Sequence, residues 1–407
     1  MKIWLINHYA VPPKYYPLAR QTYFAKNLMK LGHEVTVFAA STVHNSDLNL
    51  IEDKTPYRDD YVDGVHYVYI RCRGYQGNGA ARIINMCEFA AKLPRVCAKY
   101  PRPDAIVSTS MPPMSCAMGV HLARKYHVRG IAEIADLWPE TIVAYGIAGP
   151  RNPAVVALRI LEKWIYKKAD AVIFTCERGY DYIVERHWEK SVPREKVFYV
   201  NNGVDLKLFD FNKENYLTDD PDLTSPDTFK VIYTGSIRRI NNLGRLLDAA
   251  KLVKNDKIRF LIWGGGDELD ALKSRVEDEK IKNVSFKGKV EKKYIPYITS
   301  CADLNIMHGD PGPVLRFGLS ANKLFDYPAA GKPILTDFPC GHNPAKACGA
   351  SIEIEEYGAQ GIAEAIDSCA AMPQETRAQI GAKARNVAAE YDFANLTKKL
   401  LSVIEGK

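Results

Sequence analysis

The chain has no Cys-x-x-Cys pair, no clustered histidines and no internal repeat with a period of about 20–50 residues. It also has no uninterrupted apolar run near the ~18 residues that a membrane-spanning helix needs. These absences exclude zinc-finger spacing, solenoids, propellers and a helical membrane anchor. The apolar run in Met1–His8 is too short for a secretory signal, so a soluble chain is expected. Its nine cysteines, at 72, 87, 97, 116, 176, 301, 340, 348 and 369, are odd in number. Most have apolar neighbours and read as small buried hydrophobes. Free thiols without a disulfide framework point to a reducing, cytoplasmic setting.

What is present is ordinary globular material. The 407 residues are 47% hydrophobic and 25% charged, which at roughly 150 residues per domain suits two to three domains. Charge is unevenly placed. Residues 1–205 hold 27 Lys and Arg against 20 Asp and Glu, whereas residues 206–407 hold 28 of each sign. The whole excess of +7 lies in the first half. Such asymmetry suits an anionic partner: a phospholipid surface, a phosphorylated lipid or nucleic acid. Nucleic acid is the weakest of these, because no recognised binding module accompanies the charge.

Short apolar strands alternate with helical periods. Residues 2–6 read as a strand, and residues 34–39 as the next. Between them a helix over residues 19–31 would bury Phe24, Leu28 and Leu31, and Gly32 would stop it. Further strands are expected at 105–108, 130–135, 171–175 and 197–200, with a helix at 115–126. Another helix starts at Pro153, capped by Asn152, with Arg159, Glu162, Lys163 and Lys167 on its polar face. This alternation predicts a doubly wound parallel sheet.

Residues 206–229 are acidic, rich in turn formers and without a sustained period, so they read as a linker. A second α/β series follows, with strands at 230–234, 259–263, 284–286, 303–307 and 333–335. Two such domains are expected to face a central cleft, with ligands at the carboxyl ends of the strands. One segment of the first domain, residues 71–102, stands apart. Gly74, Gly77 and Gly79 precede an apolar helical pattern through Ile83, Ile84, Met86 and Phe89. Lys92, Arg95, Lys99 and Arg102 follow, opposed only by Glu88. The pattern suits a basic amphipathic helix lying on an anionic membrane or, alternatively, a core helix with a basic exposed end.

The stretch from Phe317 to Ile334 is the richest in chemistry. Gly318, Ser320 and Ala321 precede a helix whose first-turn amides could hold an anion. Lys323 in that first turn opposes the helix dipole and calls for a compensating anion, and Asp326 lies one turn away. Elsewhere, Asp220-Pro221-Asp222 has the form of a metal-binding DxD but lies among other linker acids. Gly264-Gly265-Gly266 suits a strand-to-helix turn before a capping Asp267. His8, His308 and Asp310 are placed near strand ends. The first βα loop, residues 9–18, has no glycine and carries Tyr15 and Tyr16.

In several ordered segments the chain resembles the family-four retaining glycosyltransferases of the GT-B fold. These are Gly32-His33-Glu34-Val35-Thr36-Val37, Asn201-Asn202-Gly203-Val204-Asp205, Tyr233-Thr234-Gly235-Ser236, Asn283-Val284-Ser285-Phe286-Lys287-Gly288 and residues 320–333. Ser110-Met111-Pro112-Pro113 and Asp136-Leu137-Trp138-Pro139-Glu140 are similar to the branch that transfers amino sugars in bacterial O-antigen and capsule assembly.

The resemblance implies an α/β GT-B architecture of two Rossmann-like, doubly wound domains. The acceptor domain would span residues 1–205, the linker 206–229 and the nucleotide-sugar domain 230–385. Residues 386–407 would form a C-terminal helix that packs back on the first domain. The family's ribose-binding acid falls on Asp326. Its partner, eight positions earlier, falls on Gly318, which has no side chain; Gly318, Leu319 and Ser320 would then offer backbone amides. The diphosphate clamp follows Gly235 and falls on Arg238 with Lys323, Arg239 standing in reserve. Val290 is placed near the base. Asp136 takes the position of the acidic or histidine group beside the transferred sugar.

The implied activity is retaining, metal-independent transfer of a sugar, an N-acetylated amino sugar, from a UDP donor to a lipid-linked or saccharide acceptor. No cofactor or metal is implied, nor any nucleic-acid partner. Peripheral membrane contact through residues 71–102 at the inner face of the plasma membrane is expected. Two alternatives share the architecture: a sugar-nucleotide 2-epimerase, and a non-catalytic partner subunit, the latter suggested by Gly318.

Overall fold

The computed structural model describes residues 1–15, 20–44, 46–310, 312–352, 354 and 356–407. The chain divides into two units, residues 1–201 with 393–407, and residues 202–392.

Among the described residues the first unit has strands β1 (Lys2–Ile6), β2 (Glu34–Ala40), β3 (Tyr57–Val62), β4 (Val65–Ile70), β5 (Ala105–Ser110), β6 (Arg129–Ile134), β7 (Ala171–Phe174) and β8 (Val197–Tyr199). They form one sheet in the order β3-β4-β2-β1-β5-β6-β7-β8. All neighbours are parallel except β3, which pairs antiparallel with β4. The β3–β4 hairpin was not read from the sequence. Its two-residue turn is Asp63-Gly64, with φ of 51° and 80°, so Asp63 and the glycine both take the left-handed conformations that a tight hairpin turn needs. Interior strands are buried on both faces, which explains their unbroken apolar runs.

The helices of this unit are α1 (Arg20–Lys30), α2 (Ala80–Cys97), α3 (Pro113–Tyr126), α4 (Glu140–Ala144), α5 (Pro153–Lys168) and α6 (Gly179–Glu185). The C-terminal helix Phe393–Glu405 completes the set. On α1, Phe24 and Leu28 are buried as expected, but Leu31 is 47% exposed. The helix ends at Lys30 and Gly32, at φ +86°, turns the chain away from the core. Ala19 and Tyr16 lie outside the described residues. The Asn152 side chain caps α5 by accepting the Ala154 N–H at 2.9 Å, as read from the sequence. Glu162 is a correction: it is buried, not on the polar face, and accepts the hydroxyls of Tyr166 and Tyr182, each at 2.8 Å.

The second unit has strands β9 (Phe229–Ser236), β10 (Ile258–Gly265), β11 (Val284–Gly288), β12 (Leu304–Met307), β13 (Ile334–Thr336) and β14 (Ser351–Ile352). The sheet order is β11-β10-β9-β12-β13-β14, parallel throughout. Its helices are α7 (Leu206–Asn215), α8 (Pro221–Thr224), α9 (Leu243–Leu252), α10 (Leu269–Asp278), α11 (Ile295–Ser300), α12 (Lys323–Ala329), α13 (Pro344–Ala347), α14 (Ala359–Ala371) and α15 (Gln374–Glu390).

Residues 206–229, read as a linker, therefore carry α7, α8 and the start of β9. Asp205 caps α7, accepting the Leu208 N–H at 3.0 Å, and Asp220 caps α8. Only Phe209 is buried on α7, which is why no helical period is legible there. The DxD-like acids of this segment are gripped by Lys287, whose ammonium lies 2.9 Å from Asp220 and 2.5 Å from Asp222. No helix among the described residues is long and apolar enough to cross a membrane.

Candidate active site

At the carboxyl edge of the second sheet, β9 and β10 leave the sheet side by side. Gly264 is in register with Gly235, and Gly265 with Ser236. A Cβ on Gly264, at φ +149°, would lie 1.8 Å from the Gly235 carbonyl oxygen, and one on Gly266 would lie 2.0 Å from that of Ile237. These glycines let two backbones close against each other. Asp267 does not cap the next helix; Glu268 takes that position without a side-chain bond.

Helix α12 is pinned to this edge by Tyr327. Its hydroxyl accepts the Thr234 N–H at 2.9 Å, and burial pushes the phenol up to about 12. One turn earlier on the same face, the Lys323 ammonium lies 4.2 Å from the centre of the Tyr233 ring. A Cβ on Gly235 would be 2.8 Å from that nitrogen, so the glycine makes room for it. Among the described residues no carboxylate forms an ion pair with Lys323. Burial lowers its ammonium to about 8, with the Asp337 carboxylate working in the opposite direction. A desolvated cation with no acid partner among the described residues has the chemistry to receive an anion.

Asp326, three residues on, has a carboxyl raised by burial, opposed by Lys292, and no side-chain hydrogen bond among the described residues. Arg238 and Arg239 follow β9, exposed and without acid partners among the described residues. The Arg238 stem crosses Gly266, where a Cβ would be 3.1 Å from its Cγ. The approach to α12 departs from the expectation of free amides. Gly318, at φ +116°, donates its N–H to the Leu315 carbonyl at 3.0 Å, so that amide is already used. Ser320 Oγ accepts the Asn202 N–H at 3.4 Å, and Asn202 Nδ2 donates to Asn322 Oδ1. The half-buried Leu319 lies between these two points. Val290 packs on the cluster that holds Trp263 and Ile298.

The Asp337 carboxylate that acts on Lys323 is itself paired with His308. His308 Nδ1 meets Asp337 Oδ2, while Nε2 meets the Asn242 carbonyl at 2.8 Å. Arg245 bonds to Asp310 at 3.0 Å and to the Gly309 carbonyl at 2.6 Å, and Asn242 Nδ2 donates to Asp310 at 2.8 Å. His308 and Asp310 thus tie the loop after β12 to the loop after β9. They are framework, not free ligands.

The first unit holds Asp136, in the loop after β6. Solvent reaches it, yet the protein packed around it raises its carboxyl from its usual value. The matching segments Met111–Pro112 and Trp138–Pro139 both have cis peptide bonds. His8 is fully buried, its Nε2 2.6 Å from Asn85 Oδ1, and burial lowers the imidazole to about 3. Nearby, the buried Glu133 accepts from Thr109 at 2.8 Å and from Arg20 Nε at 3.0 Å.

The structure therefore gathers Gly235, Lys323 and Gly264 at one strand edge, with Arg238 against the adjoining glycine. It holds Asp136 on the other unit. From the sequence, Tyr233, Tyr327 and Asn202 lay in the matched segments but had no role, and Asp337 was not singled out. Tyr327 stands four residues after Lys323, a helical spacing that signals a shared face, and Asp337 follows a strand at its carboxyl end.

Residues 19–203 match a family model described as a glycosyl transferase 4-like domain, and residues 218–387 match glycosyl transferases group 1. The chain is 24% identical over 259 residues to the probable glycosyltransferase WbjE of Pseudomonas aeruginosa, covering 63% of this chain and 62% of that protein. It is 29% identical over 216 residues to the putative teichuronic acid biosynthesis glycosyltransferase TuaH of Bacillus subtilis, covering 51% and 50%. The matched stretches thus span less than two thirds of these relatives' own lengths. Among solved structures, sucrose-phosphate synthase from Thermosynechococcus elongatus aligns with a TM-score of 0.71 at 19% identity, covering 100% of this chain and 98% of that one. Anabaena HepE in complex with UDP and glucose aligns at 0.65 and 16% identity, covering 100% of both.

Proposed function

Because the chain belongs to the family-four-like glycosyltransferases of the GT-B fold, we propose that it moves a sugar from a UDP-sugar to a lipid-linked or saccharide acceptor in surface polysaccharide synthesis. The sugar is an N-acetylated amino sugar and the anomeric configuration is retained. The second unit takes the donor and the basic first unit takes the acceptor.

One observation carries the reading: the Lys323 ammonium, partly desolvated over Tyr233 and without an acid partner among the described residues, at the carboxyl end of β9. Breaking the bond between the sugar's anomeric carbon and the diphosphate oxygen leaves its electron pair on the departing nucleotide. A preorganised cation there stabilises that charge, and one such donor contributes about 3 kcal/mol. Lys323 and Arg238 form this clamp, with Arg239 beside them, so that the leaving charge needs no metal. The Asp326 carboxyl accepts from the ribose hydroxyls, and the Ser320 and Leu319 segment borders the diphosphate. Val290 lies beside the uracil. The acceptor hydroxyl bonds to the anomeric carbon on the face the diphosphate leaves, and its proton passes to the departing phosphate oxygen. Asp136 orients the transferred sugar from the first unit. Residues 71–102 contact the membrane surface that carries a lipid-linked acceptor.

Titration calorimetry with UDP, GDP, ADP and TDP, in chelator and without acceptor, tests the reading. Micromolar binding of UDP alone is the expected result. Binding of GDP or TDP in its place would refute the donor assignment. Absence of any nucleotide binding, with or without magnesium, would refute the transferase reading.

A further inference from the structure

Helices α2, α3 and α5 cover one face of the first sheet, with α3 between the other two and in contact with both. On this face the helices do not close over each other. Ala90, Ala91, Ala117 and Ala157 form a low floor, and Met114, Met118, Ile160 and Trp164 stand around it. The result is an open groove of about 750 Å³ with an almost wholly apolar lining. Ile160 in its wall is 67% exposed, and apolar side chains continue outside it, Ile83 being 51% and Ile84 46% exposed. An exposed apolar patch of this kind marks a contact surface. The opposite face of the same sheet is finished differently. There the C-terminal helix lays Phe393 on Tyr23, with ring centres 4.7 Å apart, and edge-on to Phe24 at 5.5 Å.

Charge on this face is as ordered as the groove. On α2 the stripe Ile84, Cys87, Ala91 continues one turn on to Arg95. On α3, Met114, Met118 and His121 continue to Arg124 and Lys125; on α5, Ala157, Ile160 and Trp164 continue to Lys167. Each of these helices returns from a parallel strand of one sheet, so all three run the same way and their cationic ends lie together. Arg95, Arg124, Lys125 and Lys167 are all exposed. The three helices carry two acids only. Glu88 is paired with Arg73 and Lys92, and Glu162 is buried beneath the tyrosine hydroxyls. The face is thus an apolar groove bordered at one end by cations, and the three helices themselves carry no exposed unpaired carboxylate.

We propose that the α2–α3–α5 face docks on an anionic phospholipid bilayer, hydrocarbon chains entering the groove and headgroup phosphates meeting the cation row. This rests on the membrane contact proposed above but relocates it. The sequence singled out residues 71–102 alone, whereas the groove is lined by α3 and α5 as well as α2. Charge argues against a second copy as the occupant, since a self-complementary contact would bring two cationic rows onto one interface. An extended peptide would bury backbone amides against a lining that offers His121 as its one ionisable partner besides the Cys87 thiol.

The test is flotation of the full chain with vesicles of phosphatidylcholine and phosphatidylglycerol at 3:1, against pure phosphatidylcholine. Variants are Arg95→Glu on α2, the pair Arg124→Glu and Lys125→Glu on α3, and Ile160→Asp on α5. Each is exposed, and UDP titration and sedimentation velocity on each variant check folding and association state. Binding to the anionic vesicles alone is expected, weakened about tenfold or more by the α3 pair and by Ile160→Asp, with UDP affinity and sedimentation unchanged. Acyl chains brominated near mid-chain should quench the protein's fluorescence, with most of that quenching lost in Trp164→Phe. Failure of wild type to bind anionic vesicles overturns both membrane claims. Sensitivity to Arg95→Glu only overturns the three-helix surface and leaves the α2 contact standing. A change from dimer to monomer in Ile160→Asp without loss of vesicle binding also overturns it. Vesicle binding is read without nucleotide, so a failed donor assignment would not be mistaken for a failed surface.

Discussion

Lys323 ties the donor reading to a pH dependence that can be worked out in advance. Its ammonium is held at about 8 by burial, so about nine-tenths of the free protein is charged there at pH 7 and about one-tenth at pH 9. A bound diphosphate favours the charged form and raises that value. Donor binding therefore takes up a proton above pH 8, and apparent affinity should fall about tenfold between pH 7 and pH 9. A UDP-sugar is the better titrant, because its diphosphate has no terminal monoester to titrate in this window. Lys323→Gln removes a hydrogen bond to a charged group, worth about 1.5–3 kcal/mol, or roughly ten- to a hundredfold in affinity at pH 7. The variant should also be nearly flat from pH 7 to 9. Calorimetry at four pH values, with wild type and variant in matched buffers, reads both effects. A flat wild-type profile, or an equal slope in the variant, would refute the reasoning.

Asp326→Ala should weaken UDP binding about tenfold or more by losing a bond to the ribose; unchanged affinity would remove Asp326 from the site. Gly264→Ala places a methyl 1.8 Å from the Gly235 oxygen at a positive φ. It should cost about 3 kcal/mol in urea unfolding of the second unit, and a loss under 0.5 kcal/mol, as an order-of-magnitude threshold for an ordinary surface change, would contradict the close approach. Glu162, raised to about 8 by burial against the weaker pull of the Tyr166 and Tyr182 hydroxyls, binds a proton on folding. Its contribution is full below about pH 4.5 and is lost as pH rises toward 8, at up to about 1.4 kcal/mol per pH unit. Glu162→Gln stays neutral and should flatten that slope, gaining on wild type between pH 6 and 8 in urea unfolding; parallel stability profiles would show that the carboxyl is ionised in the fold.

The strands were legible because parallel strands covered on both faces leave unbroken apolar runs, and β1, β2 and β12 fall within a residue or two of their expected bounds. Helix α7 was not legible, because a helix that buries only Phe209 leaves no period to read. Neither was the β3–β4 hairpin: β3 is an edge strand with no buried residue, and its one strong signal was the Asp63-Gly64 pair. At the site, Lys323 and Gly235 could be placed from motif order alone. Tyr233 stacking under the ammonium could not, because ring and cation come from elements 90 positions apart in the chain (323 against 233). Gly318 looked like a source of amides. Whether its N–H was free depended on a turn that only the backbone path to Leu315 reveals.

The helix α1 grips the chain at both places where it passes between units. Arg20 donates to the Val200 and Asn201 carbonyls, where the chain leaves the first unit, and Tyr23 and Phe24 hold Phe393, where it comes back. The second unit is thus an insertion within the first. As the ribosome delivers the chain from its amino end, residues 202–392 must all emerge before Phe393 does. The second unit can close on itself during synthesis, with Val204 paired to Asp392, whereas Tyr23 and Phe24 have no Phe393 to pack on until the chain's last residues follow. The unit made first is the one completed last.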